Sequence, residues 1–218
     1  MMLIRGPGVY RPQADTWLLA QAMARAALPQ HAHVLDACTG TGALAIEAAR
    51  AGAASVTAVD VSRRAVTSAW LNCRLRGISA ELLHGDFADV LAGRTFDVVL
   101  ANPPYVPSPR PVPARGAARA WEAGSRGRAI LDKLCALLPA LLTARGMALL
   151  VHSVLCDADL TVNQLREGGL KAAIVARDTI VLGPVMQSKT RWLTESGLIH
   201  PGQQHEELVV VRADQPDR

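Results

Sequence analysis

The stretch VLDACTGTGALAIEAAR, residues 34–50, joins an apolar run of strand type to a helical pattern through a turn that holds Gly40 and Gly42. Glycine in such a turn lets the backbone approach a ligand where a Cβ atom would collide. A strand, a glycine-rich turn and a helix in this order are typical of the ligand-binding corner of an open parallel sheet. Because a GxG turn alone is a weak signal, its meaning depends on the rest of the chain.

Short apolar runs alternate with helical patterns along the chain. The apolar runs predict strands at residues 33–38, 55–60, 80–86, 96–102, 146–153, 172–178 and 207–213, and the helical patterns fall at 14–28, 43–52, 62–76, 128–142 and 158–168. Val- and Leu-rich strands separated by helices are typical of a parallel sheet covered on both faces. The last two strands lack a clear helix between them, which predicts an antiparallel closing strand. We therefore expect an α/β fold with a mostly parallel, seven-stranded sheet.

Length and composition favour one ordinary globular domain. At 218 residues, half of them hydrophobic, the chain can bury a sizeable core. We expect residues 1–218 to form a single domain, with a lead-in element over 1–30, a core over 31–218 and a long connection over 183–206. The four cysteines and six histidines show no metal-ligand spacing, so we predict no metal site. No apolar run approaches the roughly 20 residues of a membrane helix, and the N-terminus does not resemble a signal peptide, which predicts a cytoplasmic protein without membrane contact.

Acidic residues end three successive predicted strands. These are Asp36, Asp60 and Asp86, and Asp60 lies at about the distance from the glycine turn at which a carboxylate meets ribose hydroxyls. Three such carboxylates are hard to attribute to helix capping alone. Cys38 stands where the phosphate-binding fingerprint of NAD enzymes has its first glycine, which argues against NAD. An acidic lining favours a cofactor without phosphates and with a cationic centre, namely S-adenosylmethionine.

The fourth predicted strand runs into the motif NPPY, residues 102–105. An amide or aromatic amine is a poor nucleophile because its lone pair is delocalised. Two fixed acceptors, the Asn102 side-chain oxygen and the Pro103 carbonyl, can hold both N–H bonds and turn that lone pair toward a methyl donor. Proline fixes φ and blocks helix continuation, which leaves carbonyl groups free to accept from a substrate. Tyr105 offers a flat face for a planar amide or base.

With these residues in place, the chain resembles the class I (Rossmann-like) methyltransferases that carry NPPY, and among them the HemK-type protein glutamine N5-methyltransferases. The similarity is carried, in family order, by GVYRPQADTWLL, LDACTGTG, VDVS, GDF, LANPPYVP and AWEAGSRGRAILDKL. Two departures are Gln13–Ala14, where the family usually has an acidic residue, and Cys38 in place of a glycine. About thirty residues precede the first strand, as in the family's short form.

The resemblance implies an N-methyltransferase that uses S-adenosylmethionine and acts on a protein glutamine, such as that of a release-factor GGQ loop. The residues expected to act in catalysis are Asn102, Pro103 and Tyr105, and Pro104 joins them in contacting the substrate. Those expected to hold the cofactor are Thr16, Asp36, Cys38, Gly40, Gly42, Asp60, Asp86, Phe87 and Asn102. Thr16 is equally well explained as a helix N-cap.

NPPY identifies a planar nitrogen but not the molecule that carries it. Some short-form relatives methylate lysine, and a small molecule is a further alternative. A nucleobase amine is also open, because the chain has a local excess of arginine that could bind phosphate. That excess comprises Arg110, Arg115, Arg119, Arg126 and Arg128, opposed only by Glu122.

The third predicted strand, in ISAELL at residues 78–83, is expected at an edge of the sheet. An exposed edge invites strand addition by a partner. The partner could be a small zinc-ribbon activator, as the resemblance implies, or a second copy of the chain. Alternatively, the long connection over 183–206 covers this edge.

Overall fold

The fold is organised around one seven-stranded sheet in a computed structural model that describes residues 1–110, 112, 114 and 116–216. The strands are β1 (His33–Ala37), β2 (Ser55–Asp60), β3 (Glu81–His84), β4 (Phe96–Ala101), β5 (Leu142–Ser153), β6 (Lys171–Val181) and β7 (His205–Asp214). Their order is β3-β2-β1-β4-β5-β7-β6. The first five strands pair in parallel, whereas β7 is antiparallel to both β5 and β6. The predicted α/β class, the antiparallel last strand and the edge position of β3 are confirmed.

Eight α-helices and two 3₁₀ turns connect the strands within the described residues. The helices are α1 (Ala14–Ala26), α2 (Ala43–Arg50), α3 (Arg63–Arg74), α4 (Phe87–Val90), α5 (Ala129–Leu141), α6 (Ala158–Glu167), α7 (Pro184–Gln187) and α8 (Thr190–Glu195). The 3₁₀ turns are Gly116–Ala120 and Val154–Cys156. The five long helices match the predicted segments to within a few residues. The short helices α4, α7 and α8 were not predicted, because segments of four to six residues carry too few apolar positions to show a period.

The central strands β1, β4 and β5 are buried on both faces over most of their length, which explains their unbroken apolar character. In β4, Val99 packs into a cluster with Leu131 and Leu138 of α5, while Val98 and Leu100 pack into a cluster on the opposite face. Successive side chains of a strand point to opposite faces, so both need apolar cover. Helix α1 supplies part of the second cluster and packs against β5, β6 and β7. The expected lead-in helix is therefore an integral layer of the fold.

The connection between β6 and β7 packs on the loop that follows β4. Its own cluster contains Leu182, Met186, Leu193 and Ile199, and Val106 and Leu155 pack against it. The interpretation that this connection covers the edge strand β3 is therefore wrong, since the connection leaves from β6 at the opposite edge of the sheet. Over the described part of the chain, no helix combines the length and apolar character needed to cross a bilayer.

Candidate active site

A cavity of about 630 Å³ opens at the carboxyl edge of the parallel strands, beside the ends of β1, β2 and β4. This size suits a nucleoside-sized ligand together with part of a second molecule. Most of the residues predicted to act in the site line it: Thr16, Cys38, Gly40, Asp60, Asp86, Phe87, Asn102, Pro103, Pro104 and Tyr105. Asp36 and Gly42 are not among the lining residues. The parallel strand ends thus bring together residues that lie far apart in sequence.

Asp60 ends β2 and braces the glycine turn across the cavity. Its Oδ2 accepts a hydrogen bond of 3.0 Å from the N–H of Gly40, and its Oδ1 accepts one of 2.8 Å from the N–H of Ser62. Each oxygen retains acceptor capacity, because a carboxylate oxygen has two lone pairs. Burial raises the pKa of Asp60, although these two hydrogen bonds oppose the shift. The residue can therefore brace the loop and still accept from ligand hydroxyls.

Asp86 caps the short helix α4 at the third strand end. Its Oδ1 accepts from the N–H of Ala88 at 3.0 Å, and its Oδ2 accepts from Lys133 Nζ at 2.5 Å. Burial opposes ionisation, but the hydrogen bonds from Lys133 and Ala88 and the charge of Lys133 together outweigh it and lower the pKa of Asp86. The Lys133 ammonium also lies 5.2 Å from the centroid of the Phe87 ring. Asp86 and Phe87 thus form one wall of the cavity, stabilised from α5.

Asp36 and Gly42 support the glycine turn without lining the cavity. Asp36 is fully buried, and its Oδ2 accepts from Thr39 Oγ1 at 2.6 Å and from the N–H of Ala45 at 3.0 Å. Burial raises its pKa to about 7 against these hydrogen bonds. At Gly42, with φ of 80°, an added Cβ would lie 3.0 Å from the Cβ of Ala69 on α3. Their geometry supports an indirect role, in which they hold the loop that carries Gly40.

Cys38 adopts a left-handed conformation, with φ of 62°. Glycine takes this conformation without cost, whereas another residue is strained by about 1 kcal/mol. Burial, followed by the charges of Asp60, Asp36 and Asp86, raises the pKa of the Cys38 thiol well above its usual value. Two of the three predicted carboxylates contact this turn directly, since Asp36 accepts from Thr39 Oγ1 and Asp60 accepts from the N–H of Gly40.

These features suit S-adenosylmethionine. The carboxylate of Asp60 can take ribose hydroxyls, and the acidic surroundings favour the cationic sulfonium and amino groups over a phosphate-bearing cofactor. Gly40, with φ of 55°, presents no side chain to the cavity, so a ligand can approach its backbone. When bound, the cofactor would supply an electrophilic methyl group.

Asn102 follows β4 directly and lies at the cavity wall. Its Nδ2 donates a hydrogen bond of 3.1 Å to Thr16 Oγ1 on α1. Neither Asn102 Oδ1 nor the Pro103 carbonyl receives a hydrogen bond from the residues that the structure describes. Both predicted acceptors therefore remain available to a donor in the cavity.

Asp15 is a residue of the site that the sequence interpretation missed. It is 2% exposed at the start of α1 and lines the cavity. Its Oδ1 accepts from the N–H of Thr16 at 2.6 Å and from Thr16 Oγ1 at 3.2 Å. Its Oδ2 accepts from the hydroxyls of Tyr10 at 2.7 Å and Tyr105 at 3.0 Å. The signal for Asp15 is the DT pair, residues 15–16, in the stretch GVYRPQADTWLL that resembles the family.

The NPPY loop is held by the segment that begins at Trp121. The N–H of Val106 donates to the Trp121 carbonyl at 2.7 Å, and the N–H of Ala123 donates back to the Val106 carbonyl at 3.1 Å. The N–H of Ser108 donates to the Gly124 carbonyl at 2.9 Å. Residues 121–124 thus hold the NPPY loop through backbone hydrogen bonds, and Val106 and Glu122 form an isolated parallel bridge.

We expect Gly127→Ala to abolish the geometry of the NPPY loop. An added Cβ would lie 2.1 Å from the Tyr105 carbonyl oxygen, and Gly127 has φ of 68°. Relief requires a backbone shift, and overpacking of this kind costs about 1–3 kcal/mol of unfolding free energy. The rate of methyl transfer should fall together with the stability. Gly169→Ala is the matched control, because it has φ of 89° but no atom within 4 Å. Equal stability losses in the two variants, measured by urea denaturation, would contradict the steric explanation.

The connection between β6 and β7 is tied to the same loop by a buried ion pair. Lys189 Nζ donates to Glu122 Oε1 at 2.7 Å and to Ser108 Oγ at 3.1 Å. Burial opposes ionisation of Glu122, but the hydrogen bonds from Lys189 and Ser108 and the charges of Lys189 and Arg110 together outweigh it and lower the pKa of Glu122. Gly183, Pro184 and other residues of the connection line the cavity. The segment that sequence patterns could not interpret is therefore a wall of the site.

Arg128, one of the five residues of the arginine excess, is held inside the fold. Arg128 is 4% exposed and donates to Asp132, to the carbonyls of Cys156 and Asp157, and to Thr161 and Gln164. The interpretation of this residue as a phosphate ligand is therefore wrong, because its guanidinium is consumed inside the fold. Arg110 lies 3.7 Å from Glu122 and is exposed, and Arg119 lines the cavity. Arg115 lies outside the described residues.

Comparisons with known proteins identify the family and the fold. The family model described as "Methyltransferase small domain" matches residues 3–110. A Methanocaldococcus jannaschii protein named as a protein N5-glutamine methyltransferase is 32% identical over 172 residues, which cover 78% of this chain and 85% of the relative. A release factor glutamine methyltransferase of Mycolicibacterium smegmatis is 32% identical over 195 residues, covering 85% of this chain and 68% of the relative. The E. cuniculi Mtq2–Trm112 complex, which is responsible for methylation of the eRF1 translation termination factor, aligns with a TM-score of 0.62 at 22% identity, covering 95% of this chain and 99% of that one.

Fold and site together define a class I methyltransferase that uses S-adenosylmethionine. Within that class, the chain belongs to the HemK-type protein N5-glutamine methyltransferase family.

Proposed function

We propose that the enzyme transfers a methyl group from S-adenosylmethionine to the side-chain amide nitrogen of a glutamine in a protein, and that this protein is a peptide chain release factor. The names of the relatives support this substrate. The site supports the chemistry, because it joins a carboxylate-lined cofactor half to an acceptor half built from NPPY.

One observation carries the proposal: Asn102 Oδ1 and the Pro103 carbonyl are two neighbouring acceptors without donors among the described residues. A primary amide has two N–H bonds and can satisfy both. Holding them orients the nitrogen lone pair, so that catalysis consists mainly of positioning. Residues 102–105 would bind the acceptor, Tyr105 would pack on its plane, and Gly40, Asp60, Asp86 and Phe87 would hold the cofactor.

The experiment is transfer of tritium from labelled cofactor into purified release factor, total RNA and a cell extract. We expect label in the release factor, lost when the glutamine of its GGQ loop is replaced by alanine. Label only in RNA would refute the proposed substrate. Steep weakening of substrate binding with salt would also count against it, because such dependence marks phosphate recognition. The internal use of Arg128 already removes one of the cations on which the nucleobase alternative rested.

A partner contact at the β3 edge is a further part of the proposal. Trp70 and Leu75 on the adjacent helix α3 are 49% and 67% exposed, and a cavity of about 340 Å³ lies between α3 and Leu82 of β3. Exposed apolar side chains beside an unpaired strand edge suit strand addition by another chain. The pairing of Mtq2 with a second protein, Trm112, favours a distinct partner protein over a second copy of this chain. Monodisperse, fully active enzyme purified alone would rule out an obligatory partner.

A further inference from the structure

The buried carboxylate of Asp15 is linked by hydrogen bonds to two side chains of the NPPY motif, those of Tyr105 and Asn102. Asp15 contacts Tyr105 directly and reaches Asn102 through the hydroxyl of Thr16. Residues 15 and 102 are far apart in sequence, and this link through Thr16 forms because α1 packs on the sheet, against β5, β6 and β7. Four donor groups converge on the two oxygens of Asp15, which fills the hydrogen-bonding capacity of a carboxylate.

The donor and acceptor roles in these hydrogen bonds determine the orientation of the Asn102 side-chain amide. A carboxylate only accepts, so the Thr16 hydroxyl must place its hydrogen on Asp15. The oxygen of Thr16 then presents a lone pair, which can only be met by the NH₂ half of Asn102. The oxygen of Asn102 is thereby turned away from Thr16 and left as an acceptor. If the Thr16 hydroxyl were not committed to Asp15, it could donate to Asn102 and the amide could rotate by 180°.

We propose that Asp15 is a positioning residue that sets the amide orientation of Asn102 through Thr16 and holds the ring of Tyr105 through its hydroxyl. This inference rests on the proposed function, in which Asn102 Oδ1 accepts from the nitrogen to be methylated. A rotated Asn102 amide would place its own NH₂ group against the N–H bonds of the acceptor. The hydrogen bond that orients the substrate nitrogen would then be lost. The charge of one buried residue therefore fixes the hydrogen-bonding pattern that the acceptor meets.

The test compares Thr16→Val with Thr16→Ser. Valine keeps the shape of threonine without the hydroxyl, and serine keeps the hydroxyl. We expect Thr16→Val to lower kcat by about 10- to 100-fold at saturating cofactor, and Thr16→Ser to stay within about threefold of the parent enzyme. Asp15→Asn, which keeps the shape but removes the charge, is expected to lower kcat in the same way.

A second measurement follows the NMR signals of the Asn102 side-chain amide. The chain contains three asparagines, Asn72, Asn102 and Asn163, so selective ¹⁵N-asparagine labelling gives three side-chain NH₂ groups in an NMR spectrum. The Asn102 signals, assigned by their loss in Asn102→Ala, should shift in Thr16→Val and remain in place in Thr16→Ser. Those of Asn163, which is exposed on α6, should not move in either variant.

Three outcomes separate this inference from the function on which it rests. A Thr16→Val enzyme with parental kcat and unshifted Asn102 signals would overturn the positioning role while leaving the proposed function intact. A variant with weakened cofactor binding and parental kcat at saturation would also overturn it, in favour of a direct cofactor contact by Thr16. Full activity of Asn102→Ala would instead refute the proposed function.

Discussion

Asn102→Ala is expected to lower kcat by about 10²–10³-fold, the usual cost of removing one fixed group that contacts the reacting centre. The alanine variant loses the amide oxygen that would orient the acceptor nitrogen. The Pro103 carbonyl remains, but a single acceptor allows the nitrogen to rotate about one hydrogen bond. Affinity for S-adenosylmethionine should stay within a few-fold, because the Asp60 and Gly40 half of the cavity is unchanged. Single-turnover methyl transfer and calorimetric titration of the cofactor separate the two effects.

The controls for Asn102 test stability and chemistry separately. Asn163→Ala removes an exposed asparagine of α6 and should leave both kcat and unfolding free energy unchanged. Asn102→Asp retains an acceptor oxygen but cannot donate to Thr16, so we expect activity between those of the parent and the alanine variant. Near-parental turnover of Asn102→Ala, in folded protein, would remove the basis of the proposed mechanism.

Asp60→Ala should raise the dissociation constant for S-adenosylmethionine by about 10²-fold. Hydrogen bonds to a charged group contribute about 1.5–3 kcal/mol each, and 1.4 kcal/mol corresponds to a factor of ten. The substitution also leaves the N–H groups of Gly40 and Ser62 without their side-chain acceptor, which loosens the turn. Because both effects act before the chemical step, kcat at saturating cofactor should change much less than affinity.

The pH dependence of cofactor affinity gives an independent check on Asp60. Burial raises the pKa of Asp60 above its ordinary value of 3.8. Protonation removes the charge, so affinity should fall as the pH is lowered toward that raised pKa. In Asp60→Asn, which keeps one acceptor oxygen, affinity should be intermediate and this part of the pH dependence should disappear. Unchanged affinity of Asp60→Ala in calorimetry would show that the ribose role is wrong.

The cofactor half of the site was predictable to a large extent because its components are local. Gly40 lies in a turn between adjacent elements, Asp60 ends β2 and Asp86 follows the end of β3 by two residues, so alternation of strands and helices was enough to place them at one edge of a parallel sheet. Asn102 and Pro103 belong to the same category, since they follow β4 directly. Asp36 and Gly42 show the limit of this reasoning. They have the right type and spacing, but their side-chain positions depend on packing against Ala45 and Ala69.

Arg128 and Lys189 show why the remaining contacts were not predictable. In sequence, Arg128 belongs to an apparent basic surface, yet in the fold its guanidinium is buried against α6. Lys189 lies in a segment without a clear period, yet it neutralises Glu122 beneath the NPPY loop. Charge patterns describe composition and do not show which cations are consumed by internal partners.

The residue order alone was sufficient for the strand–helix alternation, the closing antiparallel strand and the chemical character of the strand ends, because period and turn chemistry act over a few neighbouring residues. Three features depend instead on the way the layers pack. They are the hydrogen bonds that converge on Asp15, the packing of the β6–β7 connection against the NPPY loop, and the burial of the Arg128 guanidinium. Thr16 and Asn102 are separated by 86 positions, and Asp15 and Tyr105 by 90. No local pattern encodes contacts over such separations, since they depend on where α1 crosses the sheet and on the strand order that places β4 beneath it.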